Sequence, residues 1–258
     1  MKTICSFGII ILFSASFAPQ LLTAQQQAPV HAPDGGSRER LQSISVPPKA
    51  GASFSAVVVT EWTRLLEDGT TTTVKNHRAI ARDSTGRIFQ ERRYFSPTGD
   101  KQETPLSNLE YVDPTRHEFY DCVPATHICT VYAYYMPASA PANMPSSVTL
   151  PNGRGTITRE NLGQKNISDL DTIGSREITT INPGVNGYKA PEPTIKEFWY
   201  SPRLDLNLIV KRFEPRGGAE NFTLLNIDLS EPDPKLFTPP PGYRIIHTEP
   251  SASSGLTR

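Results

Sequence analysis

The chain has 258 residues, with 26 basic and 26 acidic side chains, 24 prolines and three cysteines. So even a balance excludes the basic footprint that phosphate-driven nucleic-acid binding requires. Past the first residues no stretch is long and apolar enough to span a bilayer as a helix.

In chain order, Met1-Lys2-Thr3 carries one positive charge. An uncharged run follows from Ile4 to Phe17, and the segment closes on Leu22-Thr23-Ala24. These are the charge, apolar core and small-residue exit of a cleavable secretory signal over residues 1–24, with the cut between Ala24 and Gln25. The expected product is periplasmic or secreted and has no transmembrane anchor. Removing the leader takes Lys2 alone among charged residues, leaving 25 basic and 26 acidic groups. It also takes Cys5. Residues 25–50 are rich in Gln, Pro, Gly and Ser and hold few large apolar groups, so they read as a flexible lead-in. Residues 51–248 suit one domain, and 249–258 read as a flexible tail.

Within 51–248 the hydrophobic period is two. Ser53 to Trp62 is β-branched and aromatic, and Glu67-Asp68-Gly69 turns the chain. Strands are predicted next over Thr70 to Ala81 and Arg87 to Phe95, separated by Asp83-Ser84-Thr85-Gly86. His117 to Val123 and Ile128 to Met136 form a hairpin. Pro137 to Pro151 is a long proline-bearing loop, a lid or simply a connection. Gly155 to Asp169, Ser175 to Ile181 and Ile195 to Tyr200 continue the series. Leu204, Leu206, Leu208 and Val210 then alternate with Asp205, Asn207, Ile209 and Lys211, and Phe222 to Leu229 follows Pro215-Arg216-Gly217-Gly218. The total is about ten to twelve strands, and the fold class is all-β with minor α. One helical turn is expected near Ser230 to Phe237, with Ser230 as its cap.

Cys122 and Cys129 have six residues between them and flank the turn of the predicted hairpin. In an oxidising compartment such a pair is most simply a disulfide. A metal site is the weaker reading, because His127 has no further ligand at suitable spacing.

No catalytic signature is present: no Gly-x-Ser-x-Gly elbow, no phosphate-cradling glycine loop, no His-Glu-x-x-His helix. The five histidines are scattered. Carboxylate neighbours such as Glu110 with Asp113, or Glu192 with Glu197, read as decoration of solvated strand faces rather than as a glycosidase pair. The expectation is a protein with no catalytic residue, no metal and no cofactor. Arg87, Arg92 and Arg93 form the densest basic patch, but Arg92 and Arg93 alternate across one strand, with Glu91 and Asp83 near enough to pair. The aromatics beside strands are more suggestive, since a curved sheet with little helix to cover it can present an apolar concave surface. The candidate ligand or partner contacts are Tyr94, Tyr120, Tyr132, Phe198, Trp199, Tyr200 and Arg92.

Four phrases carry a resemblance. They are Glu160-Asn161-Leu162-Gly163-Gln164-Lys165-Asn166-Ile167, Gly174-Ser175-Arg176-Glu177, Glu197-Phe198-Trp199-Tyr200-Ser201-Pro202 and Leu236-Phe237-Thr238-Pro239-Pro240-Pro241-Gly242-Tyr243. Together they resemble the exported lipoprotein-carrier-like, outer-membrane lipoprotein-sorting superfamily. That resemblance implies one strongly curved antiparallel sheet forming an incomplete β-barrel with an apolar concave face. It also implies a non-enzymatic binding or carrier-like module whose partner is a lipid, a lipoprotein or an envelope protein. The helical lid segments of the carriers are weak or missing here. The alternative is an envelope structural or protein-interaction domain with a filled core and no small ligand.

Overall fold

A computed structural model describes residues 44–135, 145–187 and 189–248. The expected leader with its Ala24–Gln25 cut, the lead-in up to residue 43, and the tail all lie outside the described residues.

Thirteen strands follow one another: β1 (Phe54–Leu65), β2 (Thr71–Arg82), β3 (Ile88–Arg93), β4 (Leu106–Asp113), β5 (Glu118–Val123), β6 (Ile128–Ala133), β7 (Ser147–Thr149), β8 (Gly155–Ile167), β9 (Leu170–Ile181), β10 (Glu192–Ser201), β11 (Leu206–Glu214), β12 (Gly218–Asp228) and β13 (Arg244–His247). They form one sheet in the order β13-β6-β5-β4-β3-β2-β1-β12-β11-β10-β9-β8-β7. The sheet is not closed into a barrel. Every pairing is antiparallel except β13 beside β6. The architecture is the all-β, open half-barrel expected.

Its curvature follows from burial. Phe54, Val58, Leu208 and Phe222 share one core cluster and are fully buried, although helical structure is limited to three short 3-10 turns among the described residues. A sheet with no helical layer buries one face only by wrapping around it, in the direction its own twist favours. The register identifies that face. Phe54, Ala56, Val58 and Thr60 of β1 stand opposite Arg82, Ile80, Arg78 and Asn76 of β2. Val58 and Thr60 face Leu224 and Phe222 of β12, and Val210 of β11 faces Phe222 in turn. This inner face is concave.

A second core lies on the outer face of β2–β6: Ala81, Phe89, Tyr111, Tyr120, Cys122, Cys129 and Val131. It is roofed by the chain after β12. Asp233 caps a 3-10 turn over Pro234–Phe237 by accepting from Lys235 N. Phe237 is buried in this cluster, with Leu236 and Tyr243 against it. Glu231 receives the Ser84 amide and hydroxyl, and Arg87 lies over the Phe237 ring at 5.3 Å. We call residues 230–243 the strap. The expected turn is present, but its cap is Asp233 rather than Ser230: a Pro at the first helical position places the cap one residue before it.

Two further differences have local causes. Ile44 and Val46, inside the expected lead-in, are core residues of the concave face; two isolated aliphatics among polar neighbours have no periodic signal to announce them. Within the expected loop 137–151, Ser147–Thr149 pairs with β8 as a short edge strand, while residues 136–144 lie outside the described residues. β4 and β13 also went unread.

The disulfide is present between Cys122 and Cys129. They are a directly opposed pair on β5 and β6, and both are fully buried in the outer core.

Candidate binding face

The concave face has three levels. Its floor is the apolar cluster of Phe54, Val58, Leu208, Val210, Phe222 and Leu224, into which Ile44 and Val46 insert. One buried side chain secures that inserted segment. The Arg82 guanidinium stacks on Phe54 at 5.2 Å and donates to the carbonyls of Ala52 (2.8 Å), Pro47 (2.7 Å) and Leu204. Burial brings Arg82 down to about 10 against the opposing pull of Asp205. It stays charged at neutral pH.

Above the floor runs a charged belt. Arg78 Nη2 donates to the Ile44 carbonyl at 3.2 Å, and Arg78 Nη1 to Gln90 Oε1 at 3.3 Å. Gln90 Nε2 donates to Glu110 Oε2 at 2.7 Å, and Arg92 reaches the same oxygen through Nε at 3.0 Å and Nη2 at 2.9 Å. Asn108 Nδ2 extends the row to Asp121 Oδ1 at 2.6 Å. Strands β2 to β5 each contribute a member. On the other flank Arg212 of β11 pairs with Glu214 at 2.9 Å and Glu220 of β12 at 3.5 Å. Arg78 is 0% exposed, Glu110 1%, Arg92 7% and Glu220 5%. Charged groups are rarely buried so completely unless paired.

The third level is an aromatic rim. Trp62 packs edge-on against Phe95 at 6.0 Å, and Arg64 lies over Trp62 at 4.9 Å.

The expected contacts divide between the two faces. Arg92 is on the concave belt, Phe198 packs against the floor, and Tyr132 of β6 lies beside its cross-strand neighbour Phe119, ring centroids 6.1 Å apart. Tyr94 is exposed just past β3. Tyr120 belongs to the outer core, where burial and its bond to Glu118 push the phenol up to about 12. Trp199 is also on the outer face. It covers Gly174, where an added Cβ would lie 2.7 Å from the indole, and Lys165 Nζ is 3.8 Å from its ring. Tyr200 donates to Asp205 at the β10–β11 turn. The structure therefore gathers Arg92 and Phe198 on one surface and separates Tyr120 and Trp199 from it. Residues that sequence reasoning passed over complete the face: Arg78, Gln90, Arg212, Trp62 and Phe95. Glu110, expected on a solvated strand face, is instead 1% exposed within the belt, because its strand partners turn that side inward. The signal available was the alternation of Asn76, Arg78, Ile80 and Arg82 along β2, a mostly polar set that nonetheless points inward.

The carboxylates considered for hydrolysis serve structural contacts. Glu110 bonds Arg92 and Gln90, and Asp113 caps the following turn at Thr115 and Arg116. Glu197 accepts from Trp199 Nε1 and pairs with Arg176 and Lys211 on the outer face; these hold it below the ordinary carboxylate range, the indole bond foremost. Among the described residues no three His, Cys, Asp or Glu side chains cluster as metal ligands.

Fold and face together define a class, an open antiparallel half-barrel with a lined concave surface. No family model matches the sequence, and no curated protein matches it. Solved structures similar to it include an uncharacterized conserved protein from Thermus thermophilus, 6% identical over 77% of this chain and 91% of that one, with a TM-score of 0.41. A LolA superfamily protein from Nitrosomonas europaea is 10% identical over 75% of this chain and 92% of that one, TM-score 0.28. The Pseudomonas aeruginosa MucA/MucB complex matches at 11% identity and TM-score 0.35, over 72% of this chain and 55% of that one. Proteins of the lipoprotein-carrier-like kind are thus among the structures this chain resembles. At these scores the resemblance carries no functional argument, which has to come from the concave face itself. No helix of the described residues is long and apolar enough to cross a membrane.

Proposed function

We propose that this chain is an exported, non-enzymatic binding module of carrier-like type, and that its ligand is an acyl-bearing lipid or lipoprotein held on the concave face. The observation that carries the reading is the layering of that face, an apolar floor below a charged belt below a rim of Trp62 and Phe95. That order matches a molecule with an apolar tail and a polar head. Because Ile44 and Val46 already insert into the floor, a tail enters by displacing them. The leader and the Gln25 start belong to the same proposal.

The second reading, an envelope interaction domain with a filled core, draws on the same insertion and on the burial of the belt. Native mass spectrometry of the protein, extracted mildly from its producing cells, separates the two. Co-purified lipid masses, released when Leu208 is replaced by Glu in a protein that remains folded, are the expected result. A bare protein mass, together with exclusion of a fluorescent fatty acid, would establish the filled-core reading instead.

A further inference from the structure

We propose that the protein pairs with a second copy of itself through the outer face of β8–β11, about a two-fold axis that runs along the strands between β9 and β10. This surface is on the side of the sheet opposite the concave face. The inference goes beyond the binding-face reading and does not rest on it.

Three observations carry it. The first is the order of charge along one register row. Glu160 of β8 stands opposite Arg176 of β9, Arg176 opposite Glu197 of β10, and Glu197 opposite Lys211 of β11. Arg176 reaches Glu160 and Glu197 at 3.2 Å each, and Lys211 reaches Glu197 at 3.8 Å. All four are therefore on the outer face, where Glu197 also holds the Trp199 indole. The row reads minus, plus, minus, plus across four adjacent strands. A two-fold axis between β9 and β10 turns the second copy's row end for end. Glu160 then meets Lys211 of the other copy, and Arg176 meets its Glu197, so every carboxylate gains a cation. An axis along β10 would set Arg176 against Lys211 and Glu197 against its own equivalent. An axis along the row, across the strands, would oppose each group to its own equivalent. Like charges so placed are strongly unfavourable, and the pattern thus selects one arrangement.

The second is the apolar surface on either side of that row. In the neighbouring row Ile178, Ile195 and Phe213 are successive cross-strand partners. The strap shields the outer face of β2–β6, whereas here Phe213 is 46% exposed and the two isoleucines are only half-buried. Under the same axis Ile178 meets Ile195 of the other copy. On the far side of the charges Trp199 lies over Gly174, its partner on β9, and the same operation sets this plate against its equivalent. Exposed apolar surface of this extent marks a contact site. The third is size. The four strands have 9 to 13 residues. A face roughly 19 Å wide and 30 Å long offers about 570 Å² per copy, so the pair clears the roughly 1,000 Å² of a specific interface. Paired this way, the two concave faces point away from each other and both stay open.

The test is sedimentation velocity of the oxidised mature chain between about 1 and 100 µM, where twice the chain mass is expected at the upper end. Glu160→Lys and Lys211→Glu alter exposed side chains. Each puts two like-charge contacts into its own dimer and should weaken it about tenfold or more. Mixed in equal amounts, the two variants should form a one-to-one pair within about threefold of the parent affinity. Position 160 of one then opposes position 211 of the other with opposite sign at both contacts. A folding defect in either variant cannot produce that rescue. Phe213→Asp should give a monomer with the parent's circular dichroism. A parent that stays monomeric over the whole range would overturn the interface. So would a dimer that both charge variants leave intact, or one whose loss the mixture fails to restore.

Discussion

Asp83 shows how single polar groups hold the sheet's turns. Its carboxylate accepts from the Thr85 amide (3.0 Å) and hydroxyl (2.7 Å), the Arg87 amide (2.8 Å) and Arg87 Nε (2.6 Å). Burial pushes the group up, yet the bonds from Thr85 and Arg87 outweigh it and hold Asp83 below the ordinary carboxylate range. A folded-state value below the unfolded one of about 4 means the stabilisation is complete above that pH and is lost as pH falls through the folded value. Asp83→Asn should therefore unfold at lower urea than the parent at neutral pH, and the gap should close in acid. An equal gap at both pH values would refute the assignment. The Asp-Ser-Thr-Gly turn was legible in the sequence, since these residues bond their own backbone two positions on. Arg78 and Arg82 were not: nothing local distinguishes a strand arginine facing solvent from one bonded to three carbonyls across the fold.

The strap is the element on which the outer face depends. Phe237 is buried in the outer core cluster that also holds the disulfide pair and Tyr111, and Leu236 and Tyr243 pack against that cluster. Phe237→Ala should cost about 3–5 kcal/mol, read by chemical denaturation, and should expose the tyrosines of that core to quenchers. A loss below about 1 kcal/mol would mean the strap merely rests on the sheet. Its closing phrase was visible as a resemblance, whereas its packing was not. A segment with four prolines from residue 234 to 241 has no amphipathic period to read. The hairpins fared better. The β10–β11–β12 meander appears as expected, because alternation and glycine turns are local signals, and the same is true of the cysteine pair across β5 and β6. β4 went unread since its neighbours Glu110, Tyr111 and Val112 are all buried, which hides the alternation.

At the scale of the molecule, the sheet joins chain ends to chain middles. β1 pairs with β12, and β13 returns beside β6. Pairings this distant in sequence close large loops before they gain contacts, so refolding of the oxidised domain should take milliseconds to seconds. Stopped-flow fluorescence would record it, and microsecond completion would contradict the β1–β12 closure as a late requirement. The sequence by itself determined the strand-rich class, the cysteine pairing, the short turns and the even charge, because each depends on residues a few positions apart. Only the tertiary structure decided which side of each strand faces inward. It also placed the arginines in a buried belt, divided Trp199 and Tyr120 from Phe198 and Arg92, and brought Ile44 onto the floor. A period of two gives both faces equally well, and the choice between them is made by strands far apart in sequence closing over a common core.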